Sequence, residues 1–298
     1  MSKSYDNSSP AKSLLTTQNL ILACFSWSVL ALLFFLLFSA KIPVNGEEVR
    51  AQWYVIGTNI FEAVAYLGAS LLCLRNWRST QMVSSRKVWL SIGLGMFAYF
   101  IGGLIFGYIE IVLGKEPEVS IADVFFVLTY LCLGTDMALA LFSRKINLEA
   151  WQWLIVVGIG ALGSFLAWLV SQQSQAVVPA VQAATTEPDK MIEQVKFILD
   201  LFYIVSDVLL LIIATMMLLA FWGGKVSPSW RMIAAAAFSL YIADMWFKYA
   251  TNYLTNYKSG DILEVFWVFS GVLFGMGAVL EYDASLSLKR RDRGRKRT

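Results

Sequence analysis

Two stretches of this chain align on each other without a gap, 141 positions apart, and that repeat constrains the fold more than any single residue. Trp89 falls on Trp230, Phe97 on Phe238, Ile101 on Ile242, Phe106 on Phe247, Tyr108 on Tyr249 and Leu113 on Leu254. The register survives a loop: Asp123-Val124-Phe125-Phe126-Val127 falls on Glu264-Val265-Phe266-Trp267-Val268, and Gly134 on Gly275. Upstream, Asn59-Ile60-Phe61 falls on Asp200-Leu201-Phe202. One half-protein is expected to occur twice.

What each half is made of follows from composition. Of 298 residues, 58% are apolar and only 15% charged, where a soluble domain carries roughly 25% charge. Eight apolar stretches reach the roughly 20 residues a spanning helix needs, near 17–40, 53–75, 87–113, 121–143, 151–172, 195–222, 229–254 and 262–282. The fold class is therefore all-α: a polytopic membrane bundle of about eight transmembrane helices. Residues 1–16 read as a disordered cytoplasmic tail, 17–145 as the first four-helix repeat, 146–283 as the second, and 284–298 as a basic cytoplasmic tail. The first stretch is too long for a signal-peptide core, and no clean cleavage site follows it. An even number of helices per half makes the repeat parallel, unlike the inverted repeats of many carriers. A polar outer loop, 172–191, joins the fifth and sixth stretches.

Lys and Arg placement sets the topology. Arg75, Arg78, Arg86 and Lys87, then Arg144 and Lys145, then Lys225 and Arg231 share one side with the C-terminal basic run. The opposite loops carry Glu47, Glu48, Glu116, Glu118, Glu187 and Asp189. The positive-inside rule puts both termini in the cytoplasm. The basic tail then meets membrane lipids, anionic ones above all, and no nucleic-acid partner is expected. The chain has no His, which excludes imidazole-bound zinc, haem and Ser-His-Asp chemistry. Cys24, Cys73 and Cys132 fall inside spans without a CxxC pair and read as apolar fillers. The last span has no Lys for a retinal Schiff base. No cofactor, no metal and no catalytic residue are expected, and the chain reads as not an enzyme.

The ionisable residues inside the spans carry the functional question, because charge in hydrocarbon is costly and kept from lipid. They are Glu62, Glu110, Asp123, Asp136, Asp200, Asp207, Asp244, Lys248 and Glu264. Asp244 and Lys248 are spaced i,i+4, the better order for an ion pair on one helix face. They fall on Gly103 and Gly107 of the first half. The pair reads either as self-neutralising or as a ligand contact. Glu62 and Tyr66 fall on Tyr203 and Asp207, one carboxyl and one phenol per helix in swapped order. That suggests either a clasp in which each carboxylate meets a phenol of the other half, or the floor of an outward-facing polar cavity. Asp123 and Glu264 suit helix starts, where the backbone dipole favours acids. The GxxxG pairs Gly103/Gly107 and Gly271/Gly275 predict close helix packing, within the molecule or between copies.

The segment Asp123-Val-Phe-Phe-Val-Leu-Thr-Tyr-Leu-Cys-Leu-Gly134 resembles a recurring D-x-x-[YF]-L-x-x-Y-P-L-L-x-x-G pattern, with Leu131 where that pattern has Pro. The pattern belongs to multi-helix membrane sensory regions that precede bacterial diguanylate cyclase, phosphodiesterase or histidine kinase domains. The resemblance covers roughly 53–145 and, more weakly, 195–283. It implies sensing in a bacterial cytoplasmic or internal membrane. The chain ends about fifteen residues after the last span, so no output domain is expected in it, and a signalling or membrane-protein partner is. The first reading is a non-catalytic, receptor-like or regulatory subunit that binds a small ligand, lipid or partner helices in the outer half. The alternatives are a secondary transporter, and a structural or assembly subunit of a larger, pigment-containing or other, membrane complex.

Overall fold

The computed structural model describes residues 16–44, 47–114, 119–142, 148–172, 187–220, 227–254 and 257–295. Among them run eight long helices: α1 (Thr17–Phe38), α2 (Gln52–Arg78), α3 (Arg86–Leu113), α4 (Ile121–Phe142), α5 (Ala150–Ser171), α6 (Glu187–Ala220), α7 (Ser227–Tyr253) and α8 (Val265–Arg295). A 3-10 turn, Ile262–Glu264, leads into α8. The tail 1–15 and the loop residues 173–186 lie outside the described residues.

Seven of the eight helices are long and apolar enough to cross a membrane. Their outward faces bear Leu22, Phe25, Leu37, Leu154, Val157 and Leu162, all more than half exposed. Water would not tolerate a surface of this kind, whereas lipid requires it, and the architecture is that of an integral membrane helix bundle. The helix that falls short, α7, carries Arg231, Asp244 and Lys248. It packs against α5, α6 and α8 and turns Ile242, Tyr249 and Tyr253 outward.

Boundaries depart from the sequence expectation in three places. Helix α6 starts at Glu187, inside the expected loop 172–191. Pro188 does not prevent this, since an N–H in the first turn has no intrahelical partner to lose. Helix α8 runs on to Arg295, through the expected basic tail. Past Tyr282 the sequence is Arg-rich, with Ala284, Leu286, Leu288 and Lys289 as further good helix formers and no Gly or Pro before Gly294. The α1–α2 connection holds an unexpected antiparallel hairpin, β1 (Lys41–Val44) and β2 (Glu47–Arg50), with Lys41 opposite Arg50. Asn-Gly at 45–46 of the sequence is the turn signal that foretells it.

The core fills the end of the bundle away from the hairpin. Trp89, Ile92, Met96, Leu133, Met137, Met217, Ile233 and Leu240 are almost wholly enclosed there. Helix α2 packs on α8, and α4 on α6. Helix α3 meets α7 through Trp89 and Trp230, ring centroids 6.2 Å apart, and through Phe106 and Phe247 at 6.4 Å. Helix α1 lies outside on α2 and α8, and α5 lies outside on α6 and α7.

Lipid tails are as apolar as leucine, so helices associate by close packing and interhelical hydrogen bonds. Both occur at glycines. A Cβ on Gly271 would stand 3.1 Å from the Ala65 carbonyl carbon, and one on Gly275 would stand 3.4 Å from Ala69 Cα. This GxxxG brings α8 onto the backbone of α2. Bare glycine carbonyls accept across helices: Ser70 Oγ donates to Gly93 (2.9 Å), Ser229 Oγ to Gly277 (2.8 Å) and Tyr241 Oη to Gly163 (2.7 Å).

Candidate functional site

At the hairpin end the helices splay around a cavity of about 430 Å³. Eight of the nine ionisable residues that the sequence singles out inside the spans line it, and Asp136 alone does not. Helix α2 supplies Asn59 and Glu62, α3 Tyr99 and Glu110, and α4 Asp123, Phe126 and Tyr130. Helix α6 supplies Lys196, Asp200, Tyr203 and Asp207, and α7 supplies Asp244 and Lys248. Glu264 and Trp267 come from the start of α8. Seven carboxyls thus face two ammonium groups.

The mouth is held by an ordered clamp. Arg50, at the end of the hairpin, donates to the Lys258 carbonyl (2.6 Å) and pairs with Asp261 (3.2 Å). Tyr54 Oη donates to the Gly260 carbonyl (2.8 Å). Gly260 has φ 105°, where a Cβ would be strained and would run into the Tyr54 ring. Its N–H donates to Glu264 (2.7 Å), which also accepts from the Tyr257 hydroxyl. Glu264 is therefore enclosed (4% exposed) and satisfied from the loop that precedes its helix. Asp123 is likewise anchored, by Ser120 N–H at 2.7 Å.

The Asp244–Lys248 pair expected on α7 is not formed. Lys248 pairs with Asp200 of α6, and Asp244 accepts from Trp267 Nε1 (2.7 Å) and stands 2.7 Å from Tyr130 Oη. Helix contact accounts for the choice. At the corresponding place in the first half, Asn59 of α2 lies against Gly107 of α3, where a Cβ would run into its side chain. Asp200 and Lys248 occupy the positions that align with Asn59 and Gly107. Gly103 similarly leaves room for Glu62, whose Oε1 would be 3.8 Å from an added Cβ. Gly103 and Gly107, expected to bring helix backbones together, instead make space for polar side chains, unlike Gly271 and Gly275.

The carboxyl–phenol clasp is also repartnered. Asp207 does meet a phenol of the first half, but it is Tyr130 (2.6 Å) and not Tyr66. Tyr203 donates to Asp123 (2.8 Å) and not to Glu62. Tyr66 is fully buried beneath the cavity, its ring stacked on Tyr99 with centroids 3.8 Å apart. Glu62 stands with its carboxyl at the cavity wall.

Tyr130 is the residue that sequence reasoning missed. It bridges Asp207 and Asp244, which lie on different helices. Its signal was spacing: Asp123, Phe126 and Tyr130 at i, i+3 and i+7 share one face of α4, and all three line the cavity.

Among the described residues no group of three or more His, Cys, Asp or Glu side chains is arranged to hold a metal ion. No family model, curated protein or solved structure matches the chain.

Proposed function

We propose that this is a non-catalytic, receptor-like membrane protein that binds a small molecule in the cavity at the hairpin end. The observation that carries the reading is convergence. Charged groups in spanning helices are costly, yet this chain keeps nine ionisable groups, seven carboxyls and two ammonium groups, around one roomy, aromatic-walled space. Pockets that take small ligands have about this size, with a few convergent polar groups on apolar walls. The likeness of the Asp123–Gly134 segment to sensory membrane regions supports the same reading. A signalling partner and a bacterial membrane belong to that proposal, as does a cytoplasmic location for the basic end that bears Arg75, Arg78 and Arg86.

We also propose that the bundle is two parallel repeats about an axis between α3 and α7. The aligned residues Trp89 and Trp230 face each other, as do Phe106 and Phe247. The α2–α8 and α4–α6 contacts exchange under the same alignment.

The closed end favours a receptor over a transporter. Trp89, Met96, Leu133, Met137 and Met217 fill the bundle below the cavity, and alternating access would have to open that core. The test is a thermal-stability screen of small molecules on the purified protein and on Gly103→Trp. A Cβ added at Gly103 has no atom but Glu62 Oε1 within 4 Å, and Gly103 lines the cavity, so the indole is expected to take up cavity space. Ligands that stabilise the native protein and lose their effect in Gly103→Trp support the proposal. Ligands indifferent to Gly103→Trp, or none at all, refute it, and substrate flux in proteoliposomes would favour the transporter.

A further inference from the structure

The ligand's chemical class follows from the charge balance at the cavity floor. Its two lysines are not available to the deepest acids. Lys248 is committed to Asp200, and Lys196 stands a further turn toward the start of α6. Asp207 lies seven residues beyond Asp200 on the same helix face, about two turns or roughly 10 Å deeper. It is 2% exposed and lines the cavity. Among the described residues the Tyr130 hydroxyl is the one donor brought to it that is not itself an acid; the other contact is the Asp244 carboxyl. That same oxygen stands 2.7 Å from Asp244 Oδ2.

A hydroxyl has one proton. With both acids ionised, a proton on Asp207 sets two lone pairs against each other at Asp244, and a proton on Asp244 leaves Asp207 without a donor; only a proton held between the two carboxyls, which are in hydrogen-bond contact, or a cation beside them removes the conflict. Glu62, from the facing helix, adds a third carboxyl at the same wall. Among the described residues every other ionisable group facing this point is an acid or a phenol: Tyr66 of α2, Tyr99 and Glu110 of α3, Tyr203 of α6 and Tyr241 of α7, with Glu264 of the α8 entry. The three carboxyls share the hydroxyls of Tyr99 and Tyr130 and the Trp267 indole N–H, all neutral donors, and buried carboxylates without a counter-charge cost several kcal/mol. A cation seated among Glu62, Asp207 and Asp244 supplies what is missing. The surrounding walls are the rings of Tyr99, Phe126, Tyr130, Phe247 and Trp267. Ring faces attract cations and cover hydrocarbon, whereas a bare metal ion would leave them unused.

We propose that the cavity binds a small organic cation, an ammonium group on a hydrocarbon body, with its charge held between Glu62, Asp207 and Asp244. This rests on the reading that the cavity takes a small molecule. The test uses the purified full chain and four small probes: 1,5-diaminopentane, its neutral and anionic analogues of similar length 1,5-pentanediol and glutarate, and the compact cation tetraethylammonium, with sodium chloride as the ionic-strength control. Thermal stabilisation and calorimetric titration should detect saturable binding of one or both cations and none of the diol, the dicarboxylate or sodium. Binding should weaken at least tenfold in Glu62→Gln, which removes charge at the cavity wall, and in Asp244→Asn. It should persist in Asp283→Asn, at the far end of the bundle. If Asp244→Asn does not fold, Glu62→Gln alone decides. Binding of the diol or of glutarate that Gly103→Trp abolishes would leave the cavity a ligand site and overturn the cation. Saturation by sodium with no response to either amine would also overturn it. Cation binding unchanged in Glu62→Gln and Asp244→Asn would place the cation elsewhere and overturn it as well.

Discussion

Removing a single oxygen tests the polar floor most sharply. Tyr130→Phe keeps the ring, which touches Phe202 and Tyr203, and deletes the hydroxyl between Asp207 and Asp244. Asp244 retains Trp267 Nε1 at 2.7 Å, while Asp207, 2% exposed, loses its donor. Leaving a buried polar group unsatisfied costs about 1–3 kcal/mol, more when it is charged. Water in the adjoining cavity relieves part of this, so the expected loss is about 2 kcal/mol. Reversible unfolding in mixed micelles measures it. The cycle with Asp207→Asn is the decisive comparison. An asparagine brings its own N–H donors and carries no charge, so it should cost less in the Tyr130→Phe background than in the native one, with a coupling of about 1 kcal/mol or more. Additivity within about 0.5 kcal/mol would mean that the two groups do not act on each other and would refute the reasoning. Tyr203→Phe is the internal control, because Asp123 keeps its Ser120 N–H at 2.7 Å, and its cost should stay near 1 kcal/mol.

Other contacts give equally direct expectations. Gly271→Ala sets a methyl 3.1–3.2 Å from the backbone of Ala65 and Tyr66, which cannot yield, and should lose about 1–3 kcal/mol. Gly134→Ala, with nothing within 4 Å, should be neutral or gain up to about 1 kcal/mol from helix propensity, and equal losses at both sites would contradict the α2–α8 packing. Tyr54→Phe removes the 2.8 Å bond to Gly260, and should cost about 1 kcal/mol and speed amide hydrogen exchange across 257–261; unchanged exchange there would count against the clamp. Asp200→Asn with Lys248→Gly recreates the Asn59–Gly107 arrangement in the second half, and the double variant should be more stable than the sum of the singles predicts. A sum of singles would argue that the Lys248–Asp200 pair does not form in solution.

The legible part of this fold was what local chemistry fixes. Long apolar runs had to become helices, and the Gly271/Gly275 spacing had to meet a neighbour closely. The acids inside those runs had to avoid lipid, and all of those singled out but Asp136 met at one cavity. Partner choice was less legible, because it depends on which helix stands opposite at which height. Periodicity along α7 offered Lys248 to Asp244, whereas the distance between α6 and α7 gave it to Asp200. The alignment of the halves already held that answer, since Asn59 and Gly107 sit against each other where Asp200 and Lys248 pair. Tyr130 escaped notice because a single phenol among many aromatics has no charge to draw attention. The hairpin is hard to see in the sequence because its strands are four residues each and Asn-Gly at 45–46 is their one signal.

The central claim is that the charged side chains singled out within the spans, Asp136 excepted, surround one water-accessible cavity open at the hairpin end. Cysteine accessibility measures it directly, in a background with Cys24, Cys73 and Cys132 replaced by Ala. A membrane-impermeant cationic thiol reagent should label Glu62→Cys and Asp244→Cys from one side of the membrane only, and should leave Leu104→Cys, on the outer face of α3 beside Gly103, unlabelled. Labelling of Leu104→Cys with both cavity positions silent would contradict the account.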